Sequence, residues 1–312
     1  MAKSKIKDLI NIPEARREYF LAGNSTCQGC GLDMALRWAM KALGQYTVTI
    51  SPASCSNVVT GVWPKSAPDW PWFNMAFAGA TAAATGMKHG LITKGKGHYN
   101  VVVWAGDGGT TDIGLQGLSG AAERNEDIIY VCYDNEAYQN TGNQRSSSTP
   151  HGVVTTTTPY GKEQHKKNLP MIVAAHNVPY VATASVSDPM DLYDKFKKAK
   201  DIKGFRYIQI LSPCPPGWRS EAKDTIQHAQ MAIDCGIFPL YEIENGKLTL
   251  NGKSVRMHDK TKRKPLGEYF NKKNQGRFKK VDEEVLKVLQ EDTDKWWAWI
   301  DRHLVYQEEA EL

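Results

Sequence analysis

Two uninterrupted apolar runs, Asn100-Val101-Val102-Val103-Trp104-Ala105 and Ile128-Ile129-Tyr130-Val131-Cys132-Tyr133, each stop at a polar turn. A strand that is apolar at every position has no face for water, so both belong in a parallel sheet covered on two sides. Between them Ile113, Leu115, Leu118, Ala121 and Ala122 recur at helical spacing up to Glu123-Arg124-Asn125, which makes a strand–helix–strand crossover. Strands are also predicted at 46–51, 180–184 and 207–211, and helices at 190–200 and 225–235. The fold class is therefore α/β, a doubly wound and mostly parallel sheet. The stretch 76–90, rich in Ala, Gly and Thr, predicts a helix packed too closely for large side chains. Residues 1–236 read as the α/β unit and 237–312 as a C-terminal extension. In the extension Asn245-Gly246 leads into a hairpin predicted from 247–250 and 251–253, and Lys247 to Lys280 carries twelve Lys or Arg against two acids.

The 312 residues carry a formal charge of only +5 and are 41% hydrophobic, which excludes a disordered tail and argues against a dedicated nucleic-acid binder. No apolar run approaches the length of a membrane helix, and basic Met1 to Lys7 leads into no signal-peptide core, so a cytoplasmic protein with no membrane partner is expected. Six cysteines are too few for a disulfide framework in so long a chain.

The run 100–105 leads directly into Gly106-Asp107-Gly108-Gly109, and the next strand ends in Asp134-Asn135-Glu136-Ala137. This puts polar oxygens at the carboxyl ends of two parallel strands, where open α/β sheets bind ligands. The Asp107 carboxylate, the Asn135 amide oxygen and the Ala137 backbone carbonyl are hard donors suited to Mg²⁺, with positions left for diphosphate oxygens and water. A solvated turn accounts for Gly106-Asp107-Gly108 taken alone. Paired with Asn135 it resembles the thiamine diphosphate signature, in which such residues hold Mg²⁺ and the cofactor's diphosphate, here Asp107, Gly108, Gly109 and Asn135.

Cys27 and Cys30 form a C-x₂-C pair eased by Gly29 and Gly31. Cys55 follows the strand at 46–51, and Cys214 follows the strand at 207–211 within Ser212-Pro213-Cys214-Pro215-Pro216-Gly217-Trp218. Four thiolates from separate junctions can surround one [4Fe–4S] cluster. A structural zinc site is the alternative, although zinc ribbons usually bring two C-x₂-C pairs. Cys132, inside a strand, and Cys235, at a helix end, read as core thiols.

Together with Thr110-Thr111-Asp112-Ile113-Gly114, Tyr133 to Gly142, Arg145-Ser146-Ser147-Ser148-Thr149-Pro150 and Gln275-Gly276-Arg277-Phe278, these strings resemble the β subunit of a 2-oxoacid:ferredoxin oxidoreductase of the pyruvate branch, over most of the chain. The resemblance implies a fold of the thiamine-diphosphate-binding type. It also implies a partner α subunit that completes the thiamine site, further subunits, and ferredoxin as electron acceptor. A small 2-oxoacid, pyruvate or a relative such as oxalate, is then decarboxylated, and its electrons pass singly through a [4Fe–4S] cluster. Asn140 matches the family's active-site Asn beside the thiazolium; by sequence alone it is a turn residue. Asp112 either faces the pocket or caps the helix beginning at Ile113. Thr141 and Ser56 either donate to the diphosphate or are simple turn hydroxyls.

The chain departs from many pyruvate-type β subunits at Ser56-Asn57-Val58-Val59-Thr60-Gly61-Val62-Trp63 and at Phe77-Ala78-Gly79, which keeps oxalate open. The rival readings are a non-redox thiamine-dependent decarboxylase or lyase, which has no use for four cysteines, and a catalytically silent binding protein with zinc and a nucleic-acid-binding basic stretch. A solvated or subunit-facing surface is the plainer reading of that stretch.

Overall fold

The computed structural model describes residues 16–62 and 64–304, so the expectations for Met1 to Lys7 and for Trp63 fall outside the described residues. Eight strands, β1 Thr47–Pro52, β2 Trp72–Met75, β3 Asn100–Gly106, β4 Ile129–Asp134, β5 Tyr180–Ser185, β6 Arg206–Leu211, β7 Tyr241–Glu244 and β8 Lys247–Leu250, form one sheet in the order β2-β1-β3-β4-β6-β5-β7-β8. From β2 to β5 every neighbouring pair is parallel, and β7 and β8 close the far edge antiparallel. The α-helices are α1 Gly31–Leu43, α2 Cys55–Thr60, α3 Ala80–Thr93, α4 Asp107–Thr111, α5 Leu115–Glu123, α6 Leu169–Ala174, α7 Pro189–Asp201, α8 Pro215–Trp218, α9 Thr225–Asp234, α10 Ser254–Met257, α11 Leu266–Tyr269 and α12 Glu283–His303.

The alternation along β3 shows why its sequence is apolar throughout. Val102 and Trp104 enter a core shared with α1, α7 and α9, while Val101, Val103 and Ala105 enter a second core shared with α3, α5 and α12. Successive side chains point to opposite faces, and here both faces are covered. The chain winds outward from β1 to β2 and then returns to lay β3 on the other side of β1. The crevice between the carboxyl ends of β1 and β3 is therefore the switch point where ligands bind in open sheets.

Three expectations need correction. The hairpin uses Asn245-Gly246 as its two-residue turn, with φ of 48° and 80°, so the partner of β8 is β7 upstream and not 251–253. The sheet runs on past residue 236, because β7 pairs with β5. The close packing expected for 76–90 holds at Ala80, Thr81 and Ala84, which are buried, whereas Gly86 and Gly90 face open space. The basic stretch is also not wholly solvated. Arg263 lies 4.0 Å over the Trp297 ring and Arg277 3.5 Å over Trp218, each cation resting on an aromatic face.

On the side of the sheet away from the crevice, Asp127 accepts from Lys88 at 2.9 Å and from buried Arg206. Burial pushes the Asp127 carboxyl up, but the Lys88 hydrogen bond and the two positive charges outweigh this and hold it below the usual range. Its stabilisation is therefore complete above the unfolded carboxylate pKa and is lost as pH falls through the lower folded value. Asp127→Asn is expected to cost about 1–3 kcal/mol at neutral pH. Urea titrations should show this gap between wild type and variant closing in strong acid.

Candidate cofactor site

At the switch point a cavity of about 120 Å³ is walled by Ser54 and Cys55 after β1, Asp107 to Gly109 after β3, and Asn135 and Ala137 to Thr141 after β4, with Phe77 also on its wall. The Asn135 carboxamide stands 2.8 Å from Asp107 Oδ1 and 2.9 Å from the Ala137 carbonyl oxygen. With its nitrogen inward it donates to both; with its oxygen inward, three oxygens meet and only a cation holds them together. Asp107 is fully buried, and among the described side chains it accepts from Ser146. Burial first, and the neighbouring Asp134 second, push its carboxyl well above the usual carboxylate range. A divalent cation bound among these oxygens would reverse that. The donor set is hard and all-oxygen, and it fits Mg²⁺.

The turn that presents the Ala137 carbonyl is strained and firmly held. Glu136 adopts a left-handed φ of 66°, a conformation that persists only where the surroundings over-determine it. Its carboxylate meets Lys166 at 2.7 Å and Arg277 at 2.6 Å, and its carbonyl accepts from Thr149 at 2.6 Å. Burial would raise the Glu136 carboxyl, but the two cations prevail and hold it low.

The glycines act here through space and not through φ. Neither Gly108 nor Gly109 has a positive φ, but a Cβ at 108 would lie 2.4 Å from the Tyr138 ring, whose hydroxyl donates to the Gly108 carbonyl at 2.9 Å. Gly108→Ala is expected to evict that ring, at a cost of about 1–3 kcal/mol, and to weaken cofactor binding. The melting temperature and thiamine diphosphate titration of the assembled complex check both effects.

Cys27, Cys30, Cys55 and Cys214 are all free thiols and stand within electrostatic reach of one another. Two of their loops are tied together, since the Gly31 amide donates to the Pro213 carbonyl at 3.1 Å. Cys30 precedes α1, Cys55 opens α2 and Cys214 precedes α8. Burial, and then the neighbouring thiols, push Cys55 up to about 12. Burial likewise pushes Cys214 to about 12, opposed by a hydrogen bond from the Gly217 amide. Buried thiols such as Cys55 and Cys214 become thiolates together only beside a positive centre. Among the described residues no three Cys, His, Asp or Glu converge tightly enough for one metal ion. Cys132 and Cys235 are buried.

Asn140 and Thr141 line the cavity, and the Thr141 hydroxyl also donates to Gln144 at 2.5 Å. Ser56 does not line it. That hydroxyl is buried among Ser51, Ser54 and Tyr133, and the serine that faces the cavity is Ser54. Asp112 does not line the cavity itself but its carboxylate reaches Tyr138, which does. It holds the Ser147 hydroxyl and amide, while Gly114 precedes α5 without a side-chain cap. Sequence reasoning also missed Tyr138 and Gln139 as walls; only their place just after Asn135 pointed that way, whereas Phe77 belongs to the Phe77-Ala78-Gly79 stretch already singled out. A larger cavity of about 570 Å³ lies under α12. Among the residues lining it, Lys166 pairs with Asp134 and Glu136, and His165 meets Asp292 at 2.6 Å.

The family model described as thiamine pyrophosphate enzyme, C-terminal TPP binding domain, matches residues 54–210, the span holding the cavity, so fold and site define a thiamine diphosphate enzyme. The pyruvate synthase subunit PorB of Methanothermobacter marburgensis is 47% identical over 91% of this chain and 97% of that protein. The ketoisovalerate oxidoreductase subunit VorB of Pyrococcus horikoshii is 46% identical over 94% and 93%. A solved 2-oxoglutarate:ferredoxin oxidoreductase from Magnetococcus marinus superposes with a TM-score of 0.56 at 25% identity, over 69% of this chain and 80% of that one. This chain belongs to the β subunits of the 2-oxoacid:ferredoxin oxidoreductases, the family of PorB and VorB. Among the described residues no helix is long and apolar enough to cross a membrane.

Proposed function

We propose that this subunit oxidatively decarboxylates pyruvate. Asp107, Asn135 and the Ala137 carbonyl hold the Mg²⁺ of thiamine diphosphate, and Cys27, Cys30, Cys55 and Cys214 hold a [4Fe–4S] cluster. The observation that carries this reading is the double position of Cys55, which is at once a wall of the cofactor cavity and a member of the four-thiol group. Bound thiamine diphosphate supplies a carbon nucleophile and takes up the electron pair left when carbon dioxide departs.

This chain's residues bind and orient. Ser54 lines the cavity with its hydroxyl donated to the Pro52 carbonyl, Tyr138 and Phe77 wall it with aromatic rings, and Asn140 presents an amide to the substrate carboxylate or to a developing oxyanion. Overall, pyruvate and the coenzyme A thiol give acetyl-coenzyme A, carbon dioxide and a proton, while two oxidised ferredoxins each gain one electron. Among the described residues Asp107 is the only carboxylate on the cavity wall, and no Lys or Arg lines it. That lining favours a substrate with an uncharged side chain over oxalate or 2-oxoglutarate. A partner α subunit closes the open side and completes the thiamine pocket.

Anaerobic viologen reduction by the complex purified with its native partners tests the reading. Pyruvate with coenzyme A is expected to support turnover at least about tenfold faster than oxalate or 2-oxoglutarate. Turnover with oxalate and none with pyruvate overturns the substrate assignment.

A further inference from the structure

One side chain stands between the cofactor cavity and the loop of Cys214. Gln139 lines the cavity, and its Nε2 donates to the Asn135 carbonyl at 2.9 Å. The same carbonyl accepts from the Trp218 indole at 2.9 Å. Gln139 Oε1 is buried with no hydrogen-bond partner among the described residues, and it lies so close to Gly217 that a Cβ there would be 1.7 Å from it. A side chain at 217 would have to displace the end of Gln139, and the Gly217 amide favours the Cys214 thiolate. Gln139 thus touches the backbone of a magnesium ligand at one end and the residue hydrogen-bonded to a cluster ligand at the other. A buried amide oxygen left unpaired carries a desolvation cost, so packing against Gly217 holds it in a place that hydrogen bonding does not.

We propose that Gln139 is a positioning residue for electron transfer, holding the Gly217 amide on the Cys214 sulfur and fixing the spacing between the thiamine cavity and the cluster. The proposal rests on the four cysteines holding a [4Fe–4S] cluster. Each electron leaves the decarboxylated substrate, reduces the cluster by one unit and passes on to oxidised ferredoxin, so one pyruvate requires two such transfers. Amide hydrogen bonds to ligand sulfur favour the reduced, more negative cluster. Loosening Gly217 therefore lowers the potential and slows the transfer.

The test compares wild-type, Gln139→Ala and Gln139→Glu complexes purified with their partner subunits. Iron and thiamine diphosphate are counted in each, the cluster potential is measured by EPR-monitored titration, and cluster reduction after mixing with pyruvate is followed in a single turnover. Gln139→Glu removes the donor that anchors the side chain to the Asn135 carbonyl and sets a carboxylate against that carbonyl, which pushes the side chain off Gly217 as well, so it serves if the Ala variant fails to assemble. With cofactors retained, both variants are expected to show a more negative cluster potential and cluster reduction slower by about tenfold or more, with the KM for pyruvate within about twofold. Unchanged potential and unchanged reduction rate in a fully loaded variant overturn the proposal. Wild-type complex lacking the iron assigned to this subunit would instead overturn the cluster reading itself.

Discussion

Asp107→Ala is expected to yield a complex that assembles and keeps its iron but purifies without Mg²⁺ or thiamine diphosphate, with activity down by about 10³-fold or more. Asp107 is the one charged member of the three-oxygen set, and its carboxylate is 2.8 Å from the Asn135 amide. Without that charge the remaining donors are an amide and a backbone carbonyl, too weak to strip water from Mg²⁺. Asp107→Asn keeps the shape and is expected to fail almost as completely, because charge and not volume is what is lost. Thiamine diphosphate content and magnesium content after gel filtration check both variants. Retention of the cofactor by Asp107→Ala would show that the ligand set lies elsewhere.

Cys214→Ser is expected to do the reverse. The cofactor cavity does not include Cys214, so thiamine diphosphate binding persists. The cluster loses a soft ligand, and pyruvate-driven reduction of ferredoxin falls to background, by about 10³-fold. Iron and acid-labile sulfide counts, with the EPR spectrum of the reduced complex, check this. Simultaneous loss of iron and thiamine diphosphate from either variant would mean that Asp107 and Cys214 act in folding and not in the sites assigned to them.

The strands most legible in the sequence were those buried on both faces, because an uninterrupted apolar run has one meaning in a chain of this composition. β3 and β4 were predicted to within a residue of their observed ends. β7 escaped notice because its burial alternates in a run of only four residues, and the turn signal at Asn245-Gly246 was then assigned to the wrong side of β8. At the site, Asp107, Asn135 and Ala137 converge as their positions at adjacent strand ends required. Ser56 and Asp112 show the limit of such reasoning. Which hydroxyl after β1 faces the cavity depends on how α2 begins, and that turn places Ser54 outward and Ser56 beneath. Gln139 had no signal of its own, since its importance comes from Gly217, which is distant in sequence and adjacent in space.

The most direct test of the central claim, that this subunit joins a thiamine site to an iron–sulfur cluster, is rapid anaerobic mixing of the complex with pyruvate in the absence of coenzyme A. Reduction is followed by visible absorbance and freeze-quench EPR, with Cys214→Ser as the reference. Loss of cluster absorbance and a reduced-cluster signal are expected in the wild type, with that component missing from Cys214→Ser. Carbon dioxide release with identical iron signals in the two complexes would contradict the account, because the electrons would then be leaving by a route that does not use these four cysteines.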